Sequence, residues 1–232
     1  IDLAEDRDRF NAIIEDAGIR QPEGGTARSS DEAIAMANAI GYPVLVRPSY
    51  VLGGRAMEVV YNDADLETYI EEAVRVSPDK PILVDEFLAD AVELDVDAVS
   101  DGDRALIGGV MEHVESAGVH SGDSACMIPP RSLDDETMAR VRQVTEDIAT
   151  ALDTLGLLNV QLAVTNVDGE GQSDVYVLEA NPRSSRTVPF VSKATGVPIA
   201  KLAARVMAGE TLDAVDVDEQ IPEHLSVKEV VL

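Results

Sequence analysis

The stretch Asn159-Val-Gln-Leu-Ala-Val-Thr165, followed across a polar turn by Tyr176-Val-Leu-Glu-Ala-Asn-Pro-Arg183, decides the fold of this chain. Residues 160–165 and 175–178 are rich in valine and leucine, and residues 166–174 between them carry Asn, Gly and Asp. Two apolar runs on either side of a polar turn predict a β-hairpin. The two runs are therefore expected to be neighbouring antiparallel strands.

The register of this hairpin would bring three oxygen-bearing side chains together. Residues two apart in a strand share a face, so Glu179 and Asn181 point to the same side. With the turn centred near Glu170, Gln161 lies opposite Glu179 on the neighbouring strand. One carboxylate and two carboxamides suit a Mg²⁺ ion that also takes phosphate oxygens and water. A single carboxylate can bridge two ions, an arrangement suited to phosphoryl transfer.

Two arginines follow the second strand directly. Arg183 and Arg186 can hold a transferring phosphoryl group through bidentate hydrogen bonds. The alternative is a solvated hairpin edge with ordinary surface polar side chains. The short pattern Glu-x-Asn-Pro-Arg fits both interpretations, because short motifs also occur by chance.

A glycine pair lies in a loop between two further predicted strands. Gly53 and Gly54 would let backbone N–H groups approach a phosphate closely, and Arg47 and Arg55 add positive charge on either side. The loop is not a Walker A loop, because no Gly-Lys-Ser/Thr follows and no helix begins there. A flexible hairpin turn is the alternative.

A second loop of small residues, Ala117–Ser124, surrounds His120. Small side chains around one histidine indicate a tight loop against a ligand. The alternative is a turn whose Ser and Asp side chains bond to their own backbone, and by itself this loop favours that alternative.

The rest of the chain predicts short strands separated by amphipathic helices. Helices are expected at 6–17, 30–40, 63–76, 134–155 and 199–208, with caps at Ser29, Asp63 and Ser132, and strands at 43–47, 57–61, 82–85, 92–99 and 105–113. Residues 92–99 alternate Val or Leu with Glu or Asp, which is typical of a half-buried strand. Strands outnumber helices, so an α+β fold with two sheets is expected rather than a doubly wound parallel sheet. The tail from Thr211 is expected to be extended.

Composition narrows the class of protein. The chain has 232 residues, a net charge of −26 and one cysteine. So acidic a surface repels nucleic acid and anionic lipid. The single cysteine, the short apolar runs and the lack of a signal-peptide pattern predict a cytoplasmic protein without a membrane segment, and the missing initiator Met predicts a fragment. The acidic excess fits either a salt-rich cytoplasm or an ordinary acidic protein.

Together these segments resemble the ATP-grasp enzymes and, more narrowly, the carbamoyl phosphate synthetase large-subunit family. Those large subunits carry two similar halves, and the form Tyr50-Val-Leu-Gly-Gly-Arg-Ala-Met57 resembles the second half, which phosphorylates carbamate. The matching stretches cover nearly the whole chain: Arg7–Phe10, Val46–Glu58, Gly109–His113, Gly118–Ser124, Asn159–Gln161, Glu179–Arg183 and Thr187–Gly196.

The resemblance implies an ATP-grasp fold, with two α+β lobes and the nucleotide between them. It implies a helical lead-in over 1–40, a small lobe with the glycine loop over 41–85, and a large lobe with the metal site and a C-terminal extension over 86–232.

The resemblance also assigns roles by position. Two Mg²⁺ or Mn²⁺ ions would be held by Gln161, Glu179 and Asn181, with Arg183 and Arg186 as catalytic residues. Contacts to ATP are implied for Arg7, Arg47, Gly53, Gly54, Glu86, Leu88, Glu93, Gly118, Val119, His120 and Ser121, and also for Gln161 and Glu179. Glu86 differs from the residue usual at its place, which a backbone contact to adenine would tolerate. A K⁺ site is approximated by Glu93, His113, Val119 and Ser124.

The implied function is ATP- and Mg²⁺-dependent phosphorylation of carbamate to carbamoyl phosphate, for arginine and pyrimidine biosynthesis from glutamine or ammonia. The implied partners are the rest of the large subunit and a glutaminase small subunit. Four alternatives stay open: the bicarbonate-phosphorylating half, another ATP-grasp carboxylate ligase such as the biotin carboxylase type, a nucleotide-binding fragment without net turnover, and an acidic structural scaffold.

Overall fold

The computed structural model describes residues 4, 6–48, 57–76, 81–115, 124–167 and 172–229. Within these ranges the strands form one sheet of four and one of six, and every strand pair is antiparallel. The predicted α+β class with two sheets is confirmed. None of the helices in these ranges is long and apolar enough to cross a membrane.

In chain order the elements are α1 Arg7–Asp16, β1 Gly24–Ala27, α2 Ser30–Ile40, β2 Val44–Pro48, β3 Glu58–Val60, α3 Asp63–Val76, β4 Ile82–Glu86, β5 Val92–Asp101, β6 Ala105–His113, β7 Cys126–Ile128, α4 Asp135–Ala151, β8 Leu155–Thr165, β9 Asp174–Asn181, α5 Val188–Thr195, α6 Ile199–Met207, α7 Leu212–Val215 and β10 Ser226–Lys228.

The chain divides into two compact units. One contains residues 22–89 with the four-stranded sheet, in the order β1-β4-β2-β3. The other contains the described residues of 1–21, 90–117 and 124–232, with the six-stranded sheet in the order β10-β7-β6-β5-β8-β9. The expected division at residues 40 and 85 stays a prediction.

The unit of residues 22–89 is built on alternating valines. Val44, Val46 and Val84 are fully buried in the same cluster as Leu66 of α3 and Ala33 of α2. The Ser29 cap predicted before α2 is present, since the Ser29 Oγ accepts a hydrogen bond from the Glu32 N–H at 3.2 Å, while the Glu32 carboxylate accepts from the Arg28 N–H rather than from Ser29. Strand β1 was not predicted, because a four-residue segment with two glycines has weak intrinsic strand preference and pairing with β4 stabilises it.

The start of α3 differs from the prediction by one residue. The Asn62 Oδ1 accepts from the Asp65 N–H at 3.0 Å, so Asn62 rather than Asp63 caps this helix. The Asp63 carboxylate instead accepts from the Tyr42 hydroxyl at 2.8 Å and from the Asn38 amide at 3.0 Å.

Helix α4 is shorter than predicted at its C-terminal end. It ends at Ala151, and Leu155 already begins β8, because a Leu-Gly-Leu-Leu segment fits helix and strand periodicity equally. Its N-cap is Asp134, whose Oδ1 accepts from the Thr137 N–H at 2.7 Å. The predicted cap, Ser132, instead donates its hydroxyl to Glu112 at 2.5 Å.

Helices cover both faces of the six-stranded sheet. One core cluster combines α1 and α4 with residues such as Leu94, Leu158 and Leu162 of the sheet. A second cluster combines α5 and α6 with residues such as Met111 and Ile128. Because both faces are covered, β5 is buried along most of its length, and the expectation that it is half-buried is wrong.

The tail from Thr211 is not simply extended. It forms the short helix α7, where the Thr211 Oγ1 accepts from the Ala214 N–H, and the edge strand β10, which pairs with β7. Helix α5 was also missed, because the β-branched valines of Val188–Thr195 have a modest helix preference. Packing of its buried face on the sheet stabilises it.

The carboxylate of Asp101, at the end of β5, predicts a pH-dependent contribution to stability. It accepts from the backbone N–H groups of Leu212 at 2.7 Å, Arg104 at 3.0 Å and Asp103 at 3.1 Å. Partial burial raises the pKa of Asp101, but these three hydrogen bonds outweigh it and hold the pKa below its ordinary value. A depressed pKa stabilises the folded state above the unfolded-state pKa of about 3.9, and this contribution is lost as the pH falls through the lower folded-state pKa.

We therefore expect Asp101→Asn to lower the free energy of unfolding at pH 7, and this effect to shrink progressively as the pH falls from about 4 through the lower folded-state pKa. Urea unfolding at pH 7, 4 and 3 measures this difference. Asp103→Asn is the matched control, because it keeps the Asp103 backbone N–H that donates to the Asp101 carboxylate. An Asp101→Asn effect that does not change with pH would contradict the prediction.

Candidate nucleotide and metal site

The hairpin of β8 and β9 has the predicted pairing at the proposed ligands, whereas the pairs nearer the turn are one residue out of the register predicted for a turn centred near Glu170. Gln161 pairs with Glu179, and Asn159 pairs with Asn181. The next pair joins Leu162 to Val177, so Leu178 is an extra residue on β9 and forms a β-bulge.

Pairing with β5 extends this face of the sheet into two rows of polar side chains. The first row runs from Asp95 through Gln161 to Glu179. The second row runs from Asp97 through Asn159 to Asn181. Cross-strand partners share a face, so all six side chains lie on one side of the sheet. At the β5 end Asp95 and Asp97 are only 2% and 1% exposed, whereas Glu179 at the β9 end is exposed.

The exposed end of the rows is joined by hydrogen bonds. The Asn181 Nδ2 donates to the Glu179 Oε1 at 2.7 Å, and the Arg183 Nη2 donates to the Asn181 Oδ1 at 3.0 Å. Gln161 is half-buried beside them. The structure thus brings together Gln161, Glu179, Asn181 and Arg183, all four of which the sequence predicted as site residues.

The chemistry of this set fits a hard divalent cation. Each of the three predicted ligands offers an oxygen, one from a carboxylate and two from carboxamides, and such oxygens are what Mg²⁺ binds when water or phosphate fills its remaining positions. The Asn181 oxygen already faces a positive group, the Arg183 guanidinium. A single negative charge leaves such an ion with positive charge to share with an anionic substrate.

The segment that follows β9 is fixed by the second row. The Asp97 carboxylate accepts from the Ser185 hydroxyl at 2.8 Å, the Thr187 hydroxyl at 2.7 Å and the Asn159 amide at 3.0 Å. Burial raises the pKa of Asp97, and the hydrogen bonds from Thr187, Ser185 and Asn159 oppose that rise. Arg186, predicted as catalytic, lies in this segment and is exposed.

A buried histidine lies on the same face. The His113 Nε2 is 3.0 Å from an Asp95 oxygen, and its Nδ1 is 3.3 Å from a Glu93 oxygen. Burial lowers the pKa of His113, but Asp95, Cys126 and Glu93 outweigh this and raise it to about 11. The imidazole is therefore a buried cation at neutral pH. Glu93 and His113, both predicted at a K⁺ site, are brought together, and Ser124 of that set is buried two residues before Cys126, the strand partner of His113.

The predicted nucleotide contacts among the described residues of 22–89 lie on two strands and just after one of them. Arg47 is half-buried on β2, opposite Leu83 of β4. Glu86 ends β4, where its N–H donates to the Glu23 carbonyl at 2.7 Å and its Oε2 accepts from the Glu23 N–H at 3.2 Å. Leu88, two residues further on, is half-buried. The Glu86 side chain and its N–H therefore both have local backbone partners, and its predicted role at adenine stays a prediction.

The remaining predicted residues divide into two groups. Arg7 lies in the first turn of α1. Six predicted residues lie outside the described residues, so their roles stay predictions: Gly53, Gly54, Gly118, Val119, His120 and Ser121.

Sequence reasoning missed Asp95, Asp97, Asn159, Ser185 and Thr187 as parts of this face. The available signal was the spacing of Glu93, Asp95 and Asp97, which puts three acidic side chains on one face of a single strand. The alternation predicts that this acidic face of β5 is exposed to solvent, whereas Asp95 and Asp97 are buried in the structure.

Several solved structures with the same architecture are biotin carboxylases. The biotin carboxylase–β,γ-ATP complex of Campylobacter jejuni matches 97% of this chain and 50% of that chain, with a TM-score of 0.79 and 21% identity. The biotin carboxylase domain of Hydrogenobacter thermophilus 2-oxoglutarate carboxylase, solved with MgADP and bicarbonate, matches 97% of this chain and 50% of that chain, with a TM-score of 0.78 and 22% identity. The chain therefore has the ATP-grasp fold of the biotin carboxylase type, and the predicted fold is confirmed.

Sequence relatives narrow the class to one family. Residues 6–215 match the model of the carbamoyl-phosphate synthase L chain, ATP binding domain, and the chain belongs to this family. The carbamoyl phosphate synthase large chain of Halobacterium salinarum is 72% identical over 232 residues, and that of Methanosarcina acetivorans is 59% identical over 233. These matches cover 100% of this chain but 22% and 21% of the relatives, so the chain spans about a fifth of their length. The prediction of an ATP-grasp ligase is confirmed at the level of the family.

Proposed function

We propose that this chain is the ATP-binding part of a carbamoyl phosphate synthase large chain that phosphorylates carbamate to carbamoyl phosphate. The observation that carries the proposal is the cross-strand set of Gln161, Glu179 and Asn181, with Arg183 hydrogen-bonded to Asn181. The choice of carbamate over bicarbonate rests on Tyr50–Met57, whose sequence resembles the second half of such large chains.

Gln161, Glu179 and Asn181 would hold two Mg²⁺ ions, or Mn²⁺, together with the triphosphate of ATP. The bound ions would neutralise charge on the phosphates during transfer. The MgADP in the Hydrogenobacter thermophilus domain supports this metal for the fold. A K⁺ site is proposed at Glu93, Val119 and Ser124 with the main chain at His113, because the protonated His113 imidazole has no lone pair to offer a cation.

The chain's own cations would bind and orient the phosphates. Arg183 and Arg186 would contact the transferring phosphoryl group, whose charge spreads over its oxygens as the bond to ADP breaks. Arg7, Arg47 and the glycine pair would contact the nucleotide phosphates, and Glu86 and Leu88 the adenine. The carbamate oxygen attacks the γ-phosphorus itself, so no protein nucleophile is required.

The wider setting is part of the same proposal. We place the chain in a cytoplasmic enzyme that works with the rest of the large chain and a glutaminase small subunit, supplying arginine and pyrimidine biosynthesis. The net charge of −26 and the 72% identity to the Halobacterium salinarum relative support adaptation to a salt-rich cytoplasm.

Arg183→Gln in the complete large chain tests which reaction this segment performs. We expect about a 100-fold loss in ATP formation from ADP and carbamoyl phosphate, because a preorganised charge contact to the phosphoryl group is removed. Bicarbonate-dependent ATP hydrolysis should be kept, since the other half would catalyse it. Loss of bicarbonate-dependent ATP hydrolysis, with ATP formation from ADP and carbamoyl phosphate kept, would identify this segment as the bicarbonate-phosphorylating half. If both activities are unchanged while Mg²⁺-dependent ATP binding is weakened, the segment binds nucleotide without turnover.

A further inference from the structure

We propose that Asp97 is a positioning residue for phosphoryl transfer: its buried carboxylate fixes the segment 182–187 and thereby the guanidinium groups of Arg183 and Arg186. This inference rests on the proposed function, in which those two arginines contact the transferring phosphoryl group.

Three donors from two different elements meet on the Asp97 carboxylate. The Ser185 and Thr187 hydroxyls donate to its two oxygens at 2.8 Å and 2.7 Å, and the Asn159 amide donates at 3.0 Å. With 1% of its surface exposed, Asp97 has almost no access to water that could replace them. A buried carboxylate with three donors holds each donor strongly, because charge-assisted hydrogen bonds gain strength where water is excluded.

The two hydroxyls bracket one of the arginines. Ser185 and Thr187 flank Arg186, and Arg183 is two residues before Ser185. The Ser185 Oγ also accepts from the Thr187 N–H at 3.2 Å. This ring of contacts fixes the backbone on both sides of Arg186.

The Thr187 hydroxyl donates to Asp97 and, within the described residues, makes no capping bond to α5. Thr187 occupies the N-cap position of α5, where a threonine hydroxyl ordinarily accepts from a backbone N–H of the first turn. Among the described contacts of α5 the Thr187 side chain makes no such capping bond, and its hydroxyl donates to Asp97. The side chain of Thr187 therefore links the start of α5 to Asp97.

The same carboxylate is linked to the proposed metal ligands. Asn159, which donates to Asp97, is the strand partner of Asn181. Asn181 in turn accepts from Arg183. The second row of the sheet thus connects Asp97 at its buried end with Asn181 and Arg183 at its exposed end.

The test compares Asp97→Asn and Thr187→Val in the complete large chain, with Thr187→Ser as the conservative variant and Asp101→Asn as the control on the same strand. For ATP formation from ADP and carbamoyl phosphate, we expect kcat to fall about 10- to 100-fold in Asp97→Asn and Thr187→Val, since small misplacements of a catalytic group have effects of this size. KM for ADP should change less than about threefold, because the proposed adenine contacts are elsewhere. Thr187→Ser should restore most of kcat, and Asp101→Asn should leave it unchanged.

Two further measurements separate positioning from general loss of structure. The double variant Asp97→Asn/Thr187→Val should be no slower than the slower single variant, because both changes remove the same contact between Thr187 and Asp97. Amide hydrogen exchange over residues 182–187 should be faster in Asp97→Asn than in wild type, and unchanged in Asp101→Asn. If Asp97→Asn does not fold, Thr187→Val and Thr187→Ser carry the same comparison.

Normal kcat in Thr187→Val and Asp97→Asn, with an active wild type, would overturn the positioning role and leave the proposed function standing. Equal losses of kcat in Asp97→Asn and Asp101→Asn would also overturn it, by showing a general effect of destabilisation. A wild-type large chain that forms no ATP from ADP and carbamoyl phosphate would overturn the proposed function, and this inference with it.

Discussion

Replacing Glu179 by glutamine is expected to lower ATP formation from ADP and carbamoyl phosphate by about 100-fold or more. Glutamine has nearly the same shape, so the hydrogen bond to Asn181 and the hairpin are expected to be kept. The change removes the one negative charge of the proposed ligand set, and a neutral set attracts divalent cations far less strongly. The assay is steady-state ATP formation in the complete large chain, at several Mg²⁺ concentrations.

The matched control is Glu146→Gln, the same chemical change at an exposed position of α4. Circular dichroism and thermal unfolding should be alike for wild type and both variants. Wild-type activity in Glu179→Gln would remove Glu179 from the proposed metal site. A partial recovery at high Mg²⁺ would support it, since weaker binding is overcome by concentration.

Removing the imidazole of His113 should cause the largest loss of stability. The His113 and Asp95 side chains are only 2% and 3% exposed, and Glu93 is 14% exposed. His113→Leu would leave two carboxylates without their cation, and removing one partner of a buried ion pair costs about 3–5 kcal/mol. Because the pKa of His113 is raised to about 11, the wild-type contribution is complete below the unfolded-state value near 6.5 and declines as the pH rises towards 11.

Urea unfolding at pH 6, 8 and 10 measures this effect and its pH dependence. His224→Leu is the matched control, since His224 is exposed and its replacement should change stability by less than about 0.5 kcal/mol. The double variant His113→Leu/Asp95→Asn should recover part of the loss, because one of the two uncompensated charges is also removed. Equal stability of His113→Leu and wild type would contradict the assignment of a buried imidazolium.

The hairpin was predictable because its signals are local. The turn between two valine-rich segments sets the pairs from Thr165–Asp174 to Leu162–Val177, and the period of two sets which side chains share a face. That register alone would bring Leu178 opposite Gln161, and the bulge at Leu178 brings Glu179 there instead. The shared face of Glu179 and Asn181 was therefore predictable from the sequence, whereas the bulge at Leu178 and the hydrogen bond from Arg183 to Asn181 were not.

The buried network behind it was not predictable in the same way. Alternation in β5 indicates that its two faces differ, but it does not tell whether the polar face meets water or other polar groups. That depends on α5 and on the segment with Ser185 and Thr187, which reach Asp97 from about 90 residues further along the chain. Local patterns carry no information about such distant partners.

The helix starts show the same limit on a smaller scale. Ser132 and Asp134 are both good N-caps by residue type. The choice was made by Glu112 on β6, which binds the Ser132 hydroxyl and leaves Asp134 to begin α4. Tertiary contacts thus decide between local options of nearly equal energy.

The bulge at Leu178 has a consequence for how this hairpin can change length in evolution. Val175 and Val177 face the α1–α4 core, as does Ala180, so the extra residue shifts the alternation by one step. Loss of Leu178 would restore simple alternation and still point Glu179 away from the core, whereas loss of Ala180 would turn Asn181 inward. Codon deletions should therefore be tolerated at position 178 and selected against two codons later.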